Sequence, residues 1–269
     1  MTELFNMAFF QNAFYVSLVL SVLFGIFSFF VVMRKMTFIG AGIAHTAFGG
    51  VALGVFFGLS PFWTSLVFCS VSAVIISALA RNQRIGYDTG IGIFFSFSMA
   101  LGAILIALKK SYAFDLSGYL FGNILGINRF DLNIILVSSL IFIPFILIFL
   151  QKILFITIDE QVAKVSGIPV EKLDTILMLL LAWIIVISIK IVGIILVSAL
   201  IVLPASFGTL LHHDYRKVIL TSILFTVVIM IGGLFLSYIL NTPAGATMVM
   251  LGIVGYFSGF CLKSMGHNS

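Results

Sequence analysis

The stretch Phe9–Lys35 reads F-F-Q-N-A-F-Y-V-S-L-V-L-S-V-L-F-G-I-F-S-F-F-V-V-M-R-K, an uncharged run that stops at two adjacent cations. At about 1.5 Å of rise per residue, a helix of this length outlasts the ~30 Å hydrocarbon core of a bilayer. The run lacks the period-2 alternation of a barrel strand, so it is read as a helix. It ends at Arg34 and Lys35 without a small-residue cleavage pattern, so it is expected to stay in the protein.

The rest of the chain follows the same pattern. Of 269 residues, 62% are hydrophobic and 9% charged, with a mean hydropathy of +1.28, whereas a soluble domain is roughly half apolar and about a quarter charged. Lipid is therefore the main solvent. Backbone polar groups in hydrocarbon need internal partners, which leaves a helix bundle or a closed barrel. Continuous apolar runs of about 20 residues select the bundle. The expectation is an all-α polytopic transmembrane bundle, one permease domain over residues 1–269, with no catalytic domain and no enzyme activity of its own.

The net charge of +5 is spread in ones and twos between apolar runs, which is the signature of membrane topology and gives no footprint for nucleic acid. Cys69 and Cys261 each lie in an apolar run, outside any metal or redox spacing.

About nine spans are expected, with eight the alternative, near residues 9–33, 37–58, 62–80, 90–108, 132–150, 174–190, 192–211, 218–240 and 244–262. The segment Tyr119–Ile127 is too short to cross. With it held on the outer face, the inner loops collect Arg34, Lys35, Arg81, Arg84, Lys152, Lys164, Lys172, Arg216, Lys217 and Lys263. The outer loops keep Lys109, Lys110, Arg129 and Lys190. This bias places the amino terminus outside and the carboxyl terminus in the cytoplasm of a cell (inner) membrane protein. Small residues four apart, as at Gly50, Gly54 and Gly58, suit close helix packing in lipid. An alternative for the second span is a partly broken helix beside a transport route.

Span interiors are read as free of Asp and Glu, which argues against a chain of intramembrane carboxylates. His45 lies about nine residues into the second span, roughly 14 Å deep and near the midplane of a ~30 Å core. Neutral imidazole there suits a transition metal. The competing reading has its nitrogens satisfied by Thr46 or a neighbouring helix. The group His212, His213 and Asp214 sits beside Arg216 and Lys217 and reads as a solvated helix end.

One charged inner segment runs from Asp159 to Asp174. Asp159 and Glu160 suit a helix start, and Gly167 followed by Pro169 suits its stop, with Gln161 and Lys164 between. A short cytoplasmic helix of this kind is suited to docking a partner. The chain has no G-x-x-x-x-G-K-[ST] phosphate loop, so transport driven by ATP would need a separate ATPase chain.

Six motifs, in order, resemble the membrane subunits of zinc, manganese and iron ABC importers. They are R-K-M-T-F-I-G-A-G-I-A-H-T-A-F-G-G-V-A-L-G (Arg34–Gly54), Y-D-T-G-I-G-I (Tyr87–Ile93), Y-L-F-G-N-I-L-G (Tyr119–Gly126), D-E-Q-V-A-K-V-S-G-I (Asp159–Ile168), V-G-I-I-L-V-S-A-L-I-V-L-P-A-S (Val192–Ser206) and N-T-P-A-G (Asn241–Gly245). The resemblance implies a type II ABC importer permease that pairs with a second copy of itself. It further implies two cytoplasmic ATPase subunits that bind ATP, an extracytoplasmic metal-binding protein, and Zn2+, Mn2+ or Fe2+ as cargo, with no cofactor in this chain. Asp159, Glu160, Gln161, Lys164 and Gly167 then belong to the ATPase-coupling helix, and Tyr119–Gly126 lies outside, near the binding protein.

Many relatives carry Asp where this chain has Ala41, one turn before His45, and often where it has Asn123 and Asn241. His45, as a transit ligand, thus lacks its usual partner. Either it pairs with its counterpart across a dimer, or the permease passes an ion chosen by the binding protein. Two other classes compete: a secondary carrier, which should show two similar halves, and an intramembrane metalloenzyme joining His45 to His212 and His213.

Overall fold

The computed structural model describes residues 8–81, 86–109, 122 and 127–266. Eleven α-helices follow in order: α1 (Ala8–Met33), α2 (Ile39–Phe57), α3 (Pro61–Arg81), α4 (Tyr87–Leu108), α5 (Arg129–Ile158), α6 (Glu160–Val165), α7 (Val170–Leu200), α8 (Leu203–Leu211), α9 (Tyr215–Val227), α10 (Gly233–Leu240) and α11 (Ala244–Gly266). A π-helical turn, Val228–Gly232, joins α9 to α10. No strand occurs among the described residues.

Eight stretches among these residues are long and apolar enough to cross a bilayer, and one of them, Val170–Leu211, is 42 residues long. At about 1.5 Å per residue this is twice what a bilayer needs. Gly193, at φ 80° and ψ 165°, breaks it, a backbone conformation open to glycine and strained for other residues.

Contacts within one compact unit (Met1–Val32, Leu116–Leu140, Ser188–Ser269) show the consequence. Near the start of α1, Asn12 donates to the Ile127 carbonyl at 3.3 Å, and Phe10 packs on Phe235 with ring centroids 5.5 Å apart. Lys190 pairs with Asp131, just past Ile127, at 2.5 Å. Further along α1, Ser28 Oγ accepts from Ala205 N–H at 2.9 Å, and Gly25 lies against Ile223. The chain therefore runs from Lys190 at one end of α1 to Ala205 toward the other, and returns from Ile223 to Phe235. Gly193 thus breaks Val170–Leu211 between the two spans expected at 174–190 and 192–211, and eight candidate stretches stand among the described residues.

The second unit comprises Met33–Asp115 and Ile141–Ile187. Its centre is α2, packed between α3 and α4. The contact depends on missing side chains: a Cβ on Gly42 would sit 1.9 Å from Ile91 Cγ2, and one on Gly50 would sit 2.5 Å from Ser65 Cα. Small residues let backbones approach this closely in lipid, where dispersion replaces the hydrophobic effect as the driving force. The helix is continuous from Ile39 to Phe57, so the glycines serve packing and the partly broken alternative does not hold.

Substituting Gly50→Val forces apart two backbones that cannot relax by a rotamer change, at a cost of about 1–3 kcal/mol. A lower unfolding temperature in detergent is expected for Gly50→Val. Gly92→Ala, whose added Cβ would meet nothing within 4 Å, should match wild type.

Candidate functional site

The Asp159–Gly167 segment folds as the sequence indicates, with an added apolar face. Asp159 caps α6: its carboxylate accepts from Gln161 N–H at 2.9 Å and Val162 N–H at 3.0 Å, satisfying donors that a helix start leaves free. Glu160 and Lys164, four residues apart, pair at 2.8 Å, an exposed contact contributing about 0.3–0.5 kcal/mol. Gly167 takes φ 78° and its N–H donates to the Lys164 carbonyl at 3.1 Å, while Ile168 N–H donates to Ala163. The helix stops there in a left-handed glycine cap.

One side of α6 is anchored. Ala163 is fully buried with Ile156, Val170 and Leu173, which fixes α6 to the first turn of α7. The other side is bare: Val165 is 91% exposed and Val162 is exposed too, and Ile158, which ends α5 just before the cap, is 82% exposed. Apolar side chains left bare on a capped and anchored turn are the kind of exposed patch that marks interaction surfaces in general. Beside it opens a recess of about 370 Å³ lined by Arg34, Lys35, Tyr87, Thr157 and Glu160, among others.

Next to α6 lies a polar network absent from the sequence reading. Arg34 and Asp174 form an ion pair at 2.5 Å, with side chains 7% and 1% exposed. Ser77 Oγ donates to the second Asp174 oxygen at 2.7 Å. Arg81 donates to the Glu171 carbonyl at 2.9 Å and to Thr175 Oγ1 at 3.1 Å. The Arg34 guanidinium stands 5.5 Å from the centre of the Tyr87 ring. The sequence places Asp174 where the charged inner segment ends and an apolar span starts; α7 begins at Val170 and carries it one turn into a helix. The signal was present: an acid opening an apolar run, on the same side as Arg34 in the charge count. Removing either partner strands the other charge in a buried place, at a cost of about 3–5 kcal/mol.

His45 is half-buried on α2, its ring edge-on to Phe95 of α4 with centroids 5.0 Å apart. Thr46 is not its partner, because the Thr46 hydroxyl donates to the Gly42 carbonyl at 2.8 Å. Ser98, one turn after Phe95, has a buried hydroxyl with no partner among the described residues. No group of three or more His, Cys, Asp or Glu residues that could hold a metal occurs among the described residues. His45 is thus separate from α6 and stands in no ligand cluster. His212 ends α8, and Asp214 caps α9 by accepting from Arg216 N–H at 2.9 Å, which is the helix end expected. Asn123 lies outside the described residues, as do all of Tyr119–Gly126 but Gly122; Asn241 is an exposed left-handed helix cap.

Comparison with known proteins agrees with this architecture. A model of the ABC 3 transport family matches residues 6–263. The manganese transport system membrane protein MntC of Listeria monocytogenes is 34% identical over 257 residues, covering 96% of this chain and 91% of that one. The high-affinity zinc uptake system membrane protein ZnuB of Haemophilus influenzae is 33% identical over 233 residues, covering 87% and 89%. Among solved structures, PsaBC from Streptococcus pneumoniae in complex with Fab superposes with a TM-score of 0.81 at 34% identity, covering 94% of this chain and 91% of that one.

The Asp159 cap is testable in the membrane-embedded protein. Losing a cap of this kind costs about 1 kcal/mol, or roughly fivefold in local opening. Asp159→Ala should therefore speed amide hydrogen exchange at Gln161 and Val162 by about that factor, while amides in the middle of α2 keep wild-type rates.

Proposed function

The chain belongs to the ABC 3 transport family, and from that premise we propose that it is the membrane-spanning subunit of an ATP-driven importer of a divalent transition metal. Manganese and zinc are the metals in the names of its relatives, and they define the cargo class together with Fe2+. The observation that carries the mechanism is α6, a capped turn anchored by Ala163 that presents Val162 and Val165 next to Ile158 at the end of α5.

In this reading the chain is one permease domain that pairs with a second copy of itself. Two separate cytoplasmic ATPase subunits each receive an α6 in a groove, and an extracytoplasmic binding protein delivers the ion. ATP-driven closure of the ATPases moves the paired α6 helices, and the bundles open alternately to each side. The orientation follows from the basic loops: amino terminus outside, carboxyl terminus and α6 in the cytoplasm of the inner membrane. The lipid-facing character of Tyr87–Leu108 and Ala244–Ser264, only 17% and 22% buried in one copy, leaves surface for the second copy. His45 acts as a transit ligand, completed from outside its own helix because Ala41 offers no carboxylate.

The decisive experiment is affinity purification of the tagged permease from its native membrane. An ATPase chain should come down with it and hydrolyse ATP in a manner that depends on the permease. In reconstituted vesicles, Glu160→Lys and Gly167→Pro should each lower ATP-driven metal uptake about tenfold or more, since the first reverses a charge on the proposed docking turn and the second removes its glycine stop. Undiminished uptake in both variants contradicts the role given to α6, and so does labelling of a Val165→Cys variant only from the extracytoplasmic side. For His45, growth of a deletion strain on limiting zinc, manganese and iron is the readout. His45→Ala should fail on at least one metal, and wild-type growth on all three removes it as a ligand.

A further inference from the structure

We propose that Arg34 and Asp174 are a positioning pair that makes α6, the first turns of α7 and the α1–α2 junction move as one block, so that a push on α6 reaches the helix carrying His45. The proposal rests on the importer reading and adds to it the route by which the push travels.

Three links carry it, all within the unit formed by Met33–Asp115 and Ile141–Ile187. First, α6 is seated on α7 through the cluster of Ala163, Ile156, Val170 and Leu173, so displacement of α6 bears directly on the start of α7. Second, Asp174 lies one turn beyond Val170 and holds Arg34 at 2.5 Å with one oxygen and the Ser77 hydroxyl at 2.7 Å with the other. Arg81 adds a second tie from α3 to the same turn through the Glu171 carbonyl. Third, Arg34 stands five residues before α2, and the intervening backbone is pinned. Ile39 N–H donates to the Met36 carbonyl at 3.0 Å, and Phe38 N–H donates to Asp88 at 3.4 Å. A movement of Asp174 therefore has no slack before it reaches α2.

An apolar contact of similar size would hold these elements together at least as well as a buried ion pair does. What it would not fix is angle and register, because apolar surfaces slide, whereas charge-assisted hydrogen bonds prescribe direction. A mechanical link needs the second property, and beside the Arg34–Asp174 ion pair it is supplied by the Ser77 hydroxyl on Asp174 and by Arg81 on the Glu171 carbonyl. The exposed Glu160–Lys164 pair on α6, open to water, has no comparable hold on its neighbours.

The test uses the complete transporter, permease with its ATPase and binding protein, in vesicles where metal uptake and ATP hydrolysis are measured together. Asp174→Asn and Arg34→Gln should lower the number of ions moved per ATP by about tenfold with hydrolysis within about twofold of wild type. Arg34→Lys, which keeps the charge, should recover much of the ratio. Uptake and hydrolysis that fall in parallel, or an unchanged ratio, overturn the proposal, because a merely structural role predicts the first and no role the second.

Should the charge-removing variants not assemble, the block itself is measured in an otherwise intact transporter. Spin labels replace Thr37 and Lys172, both exposed, on a Cys261→Ser background. Their separation should be the same with and without trapped nucleotide. A change of more than about 2 Å, the scale of helix shifts in switching proteins, overturns the block. A wild-type complex that hydrolyses ATP without moving metal, or that contains no ATPase, refutes the importer reading instead, and the two failures are thereby separated.

Discussion

A guanidinium and a carboxylate 2.5 Å apart, at 7% and 1% exposure, impose a constraint that apolar packing in this chain does not. Desolvating each ion costs several kcal/mol, and only the partner's charge with further hydrogen bonds offsets it. Asp174 meets that condition with Arg34 on one oxygen and Ser77 on the other. The arrangement exists only while the α1–α2 junction, the end of α3 and the start of α7 hold fixed distances. Other helix contacts in the bundle are largely apolar, with the Lys190–Asp131 pair and the Ser28–Ala205 bond among the exceptions, and lipid competes with apolar surface on nearly equal terms. The ionic junction therefore sets the geometry of its end of the unit, and α6 is attached to that end.

Much of this was legible in the sequence because membrane folding obeys strong local rules. Backbone satisfaction forces helices, run length fixes where they cross, and Asp159 with Gly167 marks the limits of a six-residue turn. The spans expected at 174–190 and 192–211 lie in one long apolar stretch, Val170–Leu211, which Gly193 interrupts between them. What the residues could not reveal was pairing between distant elements. Arg34 and Asp174 are 140 positions apart, and each alone is indistinguishable from an ordinary charge at a span mouth. Reading the span as starting at Asp174 hid the fact that a helix already surrounds it.

The second span shows the same limit from the other side. Its glycines were read as a packing surface or as a break, and sequence alone could not choose. The answer came from the neighbours: Ile91 fills the space at Gly42, and the Ser65 backbone fills that at Gly50. The same packing turns His45 toward the Phe95 ring rather than toward a carboxylate. Position in the membrane was readable from residue count. Ligand geometry was not, since it depends on which side chains the neighbouring helices bring.

These features divide the labour of the chain. A transport route must be permissive, since a cation held by several fixed charges would not leave, and the described residues offer His45 without a cluster of acids around it. A linkage to a motor must be the opposite, rigid and specific in direction. In the unit formed by Met33–Asp115 and Ile141–Ile187, a buried ion pair lies at the α6 end, where Asp174, Arg34, Ser77 and Arg81 tie separate helices together. On the proposed assignment of α6 to the linkage and His45 to the route, placing the ionic contacts at α6 and leaving the route lightly charged would make the same small bundle stiff where force enters and yielding where the ion passes.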